Sequence, residues 1–268
     1  MISLKEVTVK YGDMTALQPT TITFKKGKFT VLLGASGAGK STLLRSLNMM
    51  QPLDSGSLTV DGLGAIDNKR VLQIHRRLTG MIFQQHQLIG RQSVVQNVLM
   101  GRMGYHSTLR SLFPLSRQEQ TLALQSLDRV GLLHKAMSRV DQLSGGQQQR
   151  VGIARALAQQ PKLILADEPV ASLDPATADK VMSLLHKICK QDGISAVVSL
   201  HQVELARRYA DRIVGLAQGR IVCDVAPESL TQENTRALYH QSADVSPANS
   251  ISQARSVPPF VFNAVEEI

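Results

Sequence analysis

The sequence is poor in cysteine and in aromatic side chains. It contains two cysteines, Cys189 and Cys223, and no tryptophan, and only 4% of its 268 residues are aromatic. Two cysteines at this separation fit neither a zinc site nor a disulfide framework, so we expect a reducing, cytosolic setting. Because so few aromatic rings are available to stack on bases, binding of single-stranded nucleic acid is disfavoured.

The sequence also lacks a long hydrophobic run. No stretch of about 18 apolar residues occurs, and such a stretch is needed for a helix that spans a bilayer. The segment from Met1 to Lys10 alternates apolar and polar residues as a strand does, without the apolar centre of a signal peptide. We therefore expect any contact with a membrane to be made through a partner.

Acidic residues are fewer than basic residues in this sequence. The 30 Lys and Arg exceed the 21 Asp and Glu, which leaves a formal charge of +9. This surplus favours an anionic partner, but charge alone does not choose among nucleic acid, an anionic membrane surface and nucleotide phosphates. The basic cluster of Lys69, Arg70, Arg76 and Arg77 is more typical of a solvated helix face than of a binding surface.

Short apolar runs alternate with helical stretches along the chain. Runs that are apolar throughout predict strands buried on both faces of a mostly parallel sheet. A helical insertion is expected between about 87 and 158, with a capping box at Ser116 and Glu119, and a hairpin around Gln218 and Gly219. After about residue 240 the periodicity fades, which predicts a flexible tail. The clearest strands are 29–33, 81–83, 163–166 and 196–200.

Residues 34–41 read Gly-Ala-Ser-Gly-Ala-Gly-Lys-Ser and lie between a predicted strand and a predicted helix. Glycines in such a loop let successive backbone N–H groups point at phosphate oxygens, and the helix N-terminus adds its positive dipole end. Lys40 would supply a charge to the β and γ phosphates, and the Ser41 hydroxyl would bind Mg²⁺. The predicted nucleotide-binding residues are Gly34, Ala35, Ser36, Gly37, Ala38, Gly39, Lys40, Ser41 and Thr42.

Two carboxylates, Asp167 and Glu168, follow the apolar run 163–166. The carboxyl ends of strands are where open α/β sheets hold their ligands. Asp167 is expected to hold Mg²⁺, and Glu168 to orient and polarise an attacking water. An Asp-Glu pair alone would equally suit a solvated strand end, and the phosphate loop in the same chain favours the catalytic interpretation.

A second helix start combines a cap with two glycines. Ser144 is a natural N-cap and Gln147 completes a capping box. Gly145 and Gly146 lie between them and have no side chains to cover the backbone N–H groups. Such an N-terminus suits a phosphate, although a capped helix start is more often only structural.

In this combination and order, the motifs resemble those of the nucleotide-binding subunits of ATP-binding-cassette transporters, over residues 1 to 240. Residues 34–41 match the Walker A loop, 163–168 the Walker B strand and 143–147 the signature motif of that family. Four further positions match in sequence order: Tyr11, the aromatic that stacks on adenine; Gln84, the Q-loop glutamine; Asp174, at the end of the D-loop; and His201, the switch histidine.

The resemblance implies an α/β fold with a RecA-like P-loop NTPase core at about 1–86 and 159–240, an antiparallel β subdomain, a helical subdomain at about 87–158 and a tail at 241–268. It implies ATP and Mg²⁺ as cofactors. The implied catalytic residues are Lys40, Glu168 and His201, and the implied metal-site residues are Ser41, Gln84 and Asp167.

The resemblance also implies partners. Two copies would pair head to tail, with ATP between the phosphate loop of one and Ser144, Gly145, Gly146 and Gln147 of the other, and with Asp174 crossing the interface. Two transmembrane permease subunits would dock near residues 85–110, and an extracytoplasmic binding protein would act indirectly. The expected location is the cytoplasmic face of the inner membrane, with no nucleic acid bound.

Within the family, the chain most resembles the ATPases of phosphonate importers. The implied function is ATP hydrolysis coupled to phosphonate uptake. Phosphite or phosphate esters remain alternatives, as do a nucleic-acid-handling cassette ATPase and an exporter or lipoprotein-release ATPase. Val225 and Ala226 depart from the pattern, which would have glycine there. The segments that carry the likeness are 85–89, 101–104, 107–112, 170–175 and 200–203.

Overall fold

The computed structural model describes residues 1–85, 87–106 and 115–239. Its strands are β1 (Ile2–Tyr11), β2 (Met14–Phe24), β3 (Phe29–Leu33), β4 (Ser55–Val60), β5 (Gly64–Ala65), β6 (Thr79–Ile82), β7 (Leu163–Ala166), β8 (Ser195–Leu200), β9 (Arg212–Ala217) and β10 (Arg220–Val225). Its α-helices are α1 (Lys40–Leu47), α2 (Lys69–Arg77), α3 (Val94–Leu99), α4 (Arg117–Arg129), α5 (Gly145–Ala158), α6 (Pro175–Asp192), α7 (Val203–Tyr209) and α8 (Gln232–Tyr239). Short 3₁₀ helices cover Met100–Tyr105, Leu133–Lys135, Val140–Gln142 and Pro227–Ser229.

The larger sheet has the strand order β10-β9-β3-β8-β7-β6. Five of its strands pair in parallel, and β10 pairs antiparallel with β9 as the expected hairpin. All five residues of β3 are buried. Strands that are covered on both faces need apolar side chains throughout, which is why these strands could be predicted from their apolar runs. The predicted mostly parallel sheet is confirmed.

The smaller sheet is antiparallel and has the order β2-β1-β4-β5. Its apolar side chains share one cluster with Leu32 of β3 and with Leu43 and Leu44 of α1. The small sheet therefore covers the face of the large sheet on which α1 lies. Strand β4 gives little signal in the sequence because only Leu58 of its six residues is buried.

The stretch between β6 and β7 is helical in its described part. Helix α4 begins at the predicted capping box of Ser116 and Glu119, in which each residue binds the other's backbone N–H. Helix α3 begins at a further box of Ser93 and Gln96. These helices pack with α5 against the face of the large sheet opposite α1. The exact bounds of the core and the helical subdomain remain predictions.

Two expected bounds need small corrections. The helix predicted to follow residues 34–41 begins within that segment, at Lys40, because Leu43 N already donates to Gly39 O at 2.9 Å. Strand β6 ends at Ile82, so Phe83 lies beyond it. The predicted tail 241–268 and the segment 107–112 lie outside the described residues. Among the helices that are described, none is long and apolar enough to cross a membrane.

The basic cluster on α2 is mostly a solvated face that also makes structural hydrogen bonds. Lys69, Arg70 and Arg76 are exposed, and Arg77 is partly buried. Arg76 donates to Met49 O at 2.6 Å, and Arg77 donates to Gly104 O at 2.7 Å. These two arginines therefore tie α2 to the end of α1 and to the 3₁₀ helix Met100–Tyr105.

Candidate functional site

The phosphate loop connects β3 to α1. Its glycines Gly34, Gly37 and Gly39 have φ values of +155°, +79° and +100°, which other residues rarely adopt. A Cβ on Gly34 would also lie 2.2 Å from Leu216 O of the neighbouring strand. The loop thus requires glycine for its conformation and for its close contact with β9.

The Lys40 side chain lies inside this loop and is 3% exposed. Its Nζ donates to Gly34 O and Ala35 O, each at 2.9 Å, and lies 3.8 Å from Glu168 Oε1. Burial lowers the pKa of Lys40 below its ordinary value, while the charges of Glu168 and Asp167 act in the opposite direction. The ammonium group is held where a nucleotide's phosphates would enter the loop.

Asp167 lies at the carboxyl end of β7 and is 4% exposed. Its Oδ1 accepts hydrogen bonds from Ser41 Oγ at 2.7 Å and from Ser199 Oγ at 3.0 Å. Its Oδ2 lies 3.6 Å from an Arg45 Nη atom. A carboxylate and a hydroxyl oxygen side by side are the kind of ligands that Mg²⁺ prefers.

No group of three His, Cys, Asp or Glu side chains able to hold a metal occurs in the described part of the chain. Mg²⁺ keeps several waters and is usually bound by one or two protein ligands together with substrate phosphates. Ser41 and Asp167 are suited to that arrangement, so the predicted metal site is chemically consistent.

Glu168 and His201 face each other at the same edge of the sheet. His201 Nε2 is hydrogen-bonded to Glu168 Oε1, and His201 Nδ1 lies 3.2 Å from Gly34 O and 3.4 Å from Lys40 Nζ. The backbone of Glu168 has φ +47°, a left-handed conformation that costs roughly 1–3 kcal/mol for a residue with a side chain. A carboxylate held against a histidine is a pair suited to orienting water and accepting its proton.

Gln84 and Tyr11 lie at the ends of strands and are both exposed. Gln84 follows β6 by two residues, and Asp167 N donates to Ile82 O at 2.9 Å, so Gln84 comes to the edge that carries the carboxylates. Tyr11 ends β1, where its hydroxyl donates to Gln51 Oε1 at 3.0 Å. Metal binding by Gln84 and adenine stacking by Tyr11 remain predictions.

The N-termini of α5 and α6 form a second polar cluster. Ser144 Oγ accepts from Gln147 N, and Gln147 Oε1 accepts from Ser144 N at 3.0 Å. Asp174 caps α6 by accepting from Thr177 N at 3.0 Å, and hydrogen bonds from Thr177 hold the pKa of Asp174 below its ordinary value. Gly146 lies against Thr177, where an added Cβ would be 2.5 Å from Cγ2.

Within the described residues, no hydrogen bond or ion pair joins this second cluster to the phosphate-loop side. Ser144, Gly145 and Asp174 are exposed, whereas Lys40 and Asp167 are buried. The predicted site residues therefore fall into two groups on one chain. The first group is Lys40, Ser41, Asp167, Glu168 and His201, and the second is Ser144, Gly145, Gly146, Gln147 and Asp174.

Two residues that contact Asp167 of the first group were not predicted from the sequence. Arg45 on α1 and Ser199 on β8 both contact Asp167 but belong to no motif considered above. One signal for Ser199 was available, because it is the single hydroxyl within the otherwise apolar run 196–200. A buried hydroxyl is nearly always hydrogen-bonded, so its presence indicates a polar neighbour.

A phosphate loop, a carboxylate pair and a signature helix on this fold define an ATPase of the cassette type. The chain belongs to the ABC transporter family, whose family model matches residues 17–171. It is 62% identical to the phosphite import ATP-binding protein of Stutzerimonas stutzeri over 239 aligned residues, and this alignment covers 89% of this chain and 86% of that protein. It is 57% identical over 246 residues to a phosphonates import ATP-binding protein of Nostoc sp., with coverage of 91% and 94%.

Solved structures agree with this assignment. The ATP-binding cassette MJ0796, solved as a dimer in a post-hydrolysis state with ADP and Pi, is 34% identical and superposes with a TM-score of 0.73, covering 86% of this chain and all of that one. A nucleotide-free cassette from an ABC transporter is 26% identical, with a TM-score of 0.76 and coverage of 89% and 94%. The predicted fold class and family resemblance are confirmed.

Proposed function

We propose that this chain is the ATP-hydrolysing subunit of an importer for phosphorus oxyanions, with phosphonates as the main substrates and phosphite as the alternative. The observation that carries the proposal is the meeting of Lys40, Ser41, Asp167, Glu168 and His201 at one edge of the parallel sheet. The substrate class comes from the relatives, which are named for import of phosphite and of phosphonates. The identities of 62% and 57% keep phosphite as the alternative to phosphonates.

ATP would lie with its phosphates in the loop 34–41 and its adenine on Tyr11. The backbone N–H groups of the loop and the Lys40 ammonium would bind the β and γ phosphates. Ser41, Asp167 and Gln84 would hold Mg²⁺, which neutralises charge on the phosphate oxygens when it is bound. Thr42, at the third position of α1, would contribute its backbone N–H to the same phosphate cradle.

Hydrolysis would take place beside Glu168. Its carboxylate would orient a water toward the γ-phosphorus and accept the water's proton. His201, which is hydrogen-bonded to Glu168 and lies beside Gly34 O and Lys40 Nζ of the loop, would lie next to the γ-phosphate. Positioned cations and donors stabilise the negative charge that builds up on the transferred phosphoryl group.

The two separate groups of site residues suggest a composite site formed by two copies. The N-terminus of helix α5 is exposed to solvent at Ser144 and Gly145, and that end of a helix attracts an anion. A second copy arranged head to tail would present these residues to the γ-phosphate bound by the first. Asp174, at the adjacent N-terminus of α6, would reach the same interface. ATP would then join the two copies, and loss of the γ-phosphate would release them.

A groove of about 510 Å³ offers the place for the permease subunits. It lies between the end of α1, strand β6 and the 3₁₀ helix Met100–Tyr105, and its lining includes Phe83, the residue before Gln84. Its exposed Met50 and Met100 are adaptable apolar contacts, and the buried Asn48 Oδ1 has no hydrogen-bond partner among the described residues. A permease helix that fills this groove would sense the state of the nucleotide through Gln84. The external binding protein would act only through that permease.

The first test is the ATPase itself. The purified chain should hydrolyse ATP with Mg²⁺, and Glu168→Gln should bind ATP but turn it over about 10²–10⁴-fold more slowly, the range expected when a general base is lost. Wild-type-like turnover in Glu168→Gln would contradict the role given to this residue.

The second test addresses the substrate. Candidate permease and binding proteins are co-expressed with this chain and reconstituted in vesicles, and ATPase activity is measured with a panel of phosphonates, phosphite, phosphate and, as controls, sulfate and amino acids. Stimulation by phosphonates or phosphite is expected. If no phosphorus oxyanion stimulates the complex, or if sulfate stimulates it equally, the substrate class is wrong.

A further inference from the structure

Ser199 in strand β8 is fully buried and contacts both candidate carboxylate residues. Its hydroxyl donates to Asp167 Oδ1 at 3.0 Å and accepts from Glu168 N at 2.8 Å. A hydroxyl has one proton to donate and two lone pairs that accept, so both bonds form at the same time. One side chain thus joins the carboxylate of Asp167 to the backbone of the residue that follows it.

This connection lies where the backbone is strained. Glu168 has a left-handed φ of +47°, which persists only if its surroundings hold it. The peptide between Asp167 and Glu168 also orients two side chains at once, one toward Ser41 and the other toward His201. Fixing this peptide therefore fixes the relation between the candidate metal ligand and the candidate base.

Without the hydroxyl, two groups would lose a partner. Asp167 Oδ1 would keep only Ser41 and could rotate away from the phosphate loop. The Glu168 N–H would lose the acceptor that the structure gives it, and the left-handed turn would relax. Both changes would displace reactive groups while leaving the phosphate loop itself intact.

We propose that Ser199 is a positioning residue for ATP hydrolysis, which aims Asp167 at the metal site and Glu168 at the attacking water. It acts through these two residues and does not contact the nucleotide. This inference rests on the proposed function, because it assigns Ser199 to the same hydrolytic site.

The test compares Ser199→Ala, Ser199→Thr and Ser199→Val. Threonine keeps the hydroxyl, and valine has the shape of threonine without it, so this pair separates the hydrogen bonds from the added volume. Loss of a group that orients a metal ligand typically lowers metal affinity or activity by about 10–100-fold. We expect a fall in kcat of that size in Ser199→Ala and Ser199→Val, with Ser199→Thr at least about fivefold more active than Ser199→Val.

Two binding measurements do not depend on turnover. Mn²⁺ binding in the presence of ATPγS, followed by electron paramagnetic resonance, should weaken in Ser199→Ala and recover in Ser199→Thr. Binding of a fluorescent ATP analogue in EDTA should stay within about twofold of wild type, since the phosphate loop is unchanged. Thermal unfolding curves confirm that each variant is folded, and Ser199→Ala, which adds no volume, serves if the larger residues do not fit.

Wild-type kcat and Mn²⁺ affinity in Ser199→Ala would overturn the proposal, even if its melting temperature fell, because the hydroxyl would then serve only packing. Equal defects in Ser199→Thr and Ser199→Val, with both variants as stable as wild type, would overturn it as well. A wild-type chain without Mg²⁺-dependent ATPase activity would instead refute the proposed function, and the Mn²⁺ measurement would still decide the role of Ser199.

Discussion

Substituting Gly146 with alanine tests the close packing between the N-termini of α5 and α6, where the residues of the signature motif lie. The new Cβ would lie 2.5 Å from Thr177 Cγ2, so either the Thr177 side chain would have to rotate and lose its hydrogen bond to Asp174, or the N-termini of α5 and α6 would have to separate. Overpacking of this kind costs about 1–3 kcal/mol, and the gain from replacing a helical glycine offsets roughly 0.5–1 kcal/mol of it. We therefore expect Gly146→Ala to lower the free energy of unfolding by up to about 2.5 kcal/mol.

The neighbouring glycine supplies the control. A Cβ on Gly145 would lie 3.4 Å from Leu173 Cδ2, which is ordinary van der Waals contact, so Gly145→Ala should be as stable as wild type or slightly more stable. Thr177→Ser removes Cγ2 and should recover most of the loss in Gly146→Ala. Urea unfolding followed by circular dichroism measures the stability of Gly145→Ala, Gly146→Ala, Thr177→Ser and the double variant that combines Gly146→Ala with Thr177→Ser. Equal stability of Gly145→Ala and Gly146→Ala, or no recovery in the double variant, would refute the reasoning.

Three further predictions concern other parts of the molecule. Burial alone would raise the pKa of Glu119, but hydrogen bonds from His106 and Ser116 hold it below its ordinary 4.5, so the stability that it contributes is present above 4.5 and is lost as the pH falls through the lower pKa of the folded state. Urea unfolding at pH 5.5 and near pH 3 should show the gap between wild type and Glu119→Gln shrinking in acid. Asp192→Asn, which breaks the partly exposed pair with Arg129, should cost about 0.2–1 kcal/mol in the same assay, and less in high salt. Burial raises the pKa of Cys189 to about 12, so mass spectrometry after treatment with iodoacetamide at neutral pH should find Cys189 unmodified until urea unfolds the chain.

Local signals in the sequence were sufficient for the elements around the nucleotide. The capping boxes at Ser116 and Ser144 each involve residues three positions apart, so their geometry follows from the local sequence. The strand β3 was clear because every side chain in it is buried. These features explain why the parallel sheet and the phosphate loop could be predicted.

Contacts between distant residues could not be predicted in the same way. Ser199 and Asp167 are 32 positions apart, and Ser41 and Asp167 are 126 apart. Their hydrogen bonds depend on the order of strands in the sheet, which no local pattern specifies. Strand β4 was missed for a different reason, since only its second half alternates polar and apolar residues and only Leu58 is buried.

The central claim is that ATP binds between two copies of this chain and that Glu168 is needed to release them. The most direct measurement is sedimentation velocity of Glu168→Gln with ATP, with ADP and without nucleotide. We expect a stable dimer with ATP and monomers in the other two conditions. A monomer with ATP, or a dimer that forms equally well with ADP, would show that ATP does not join two copies in this way.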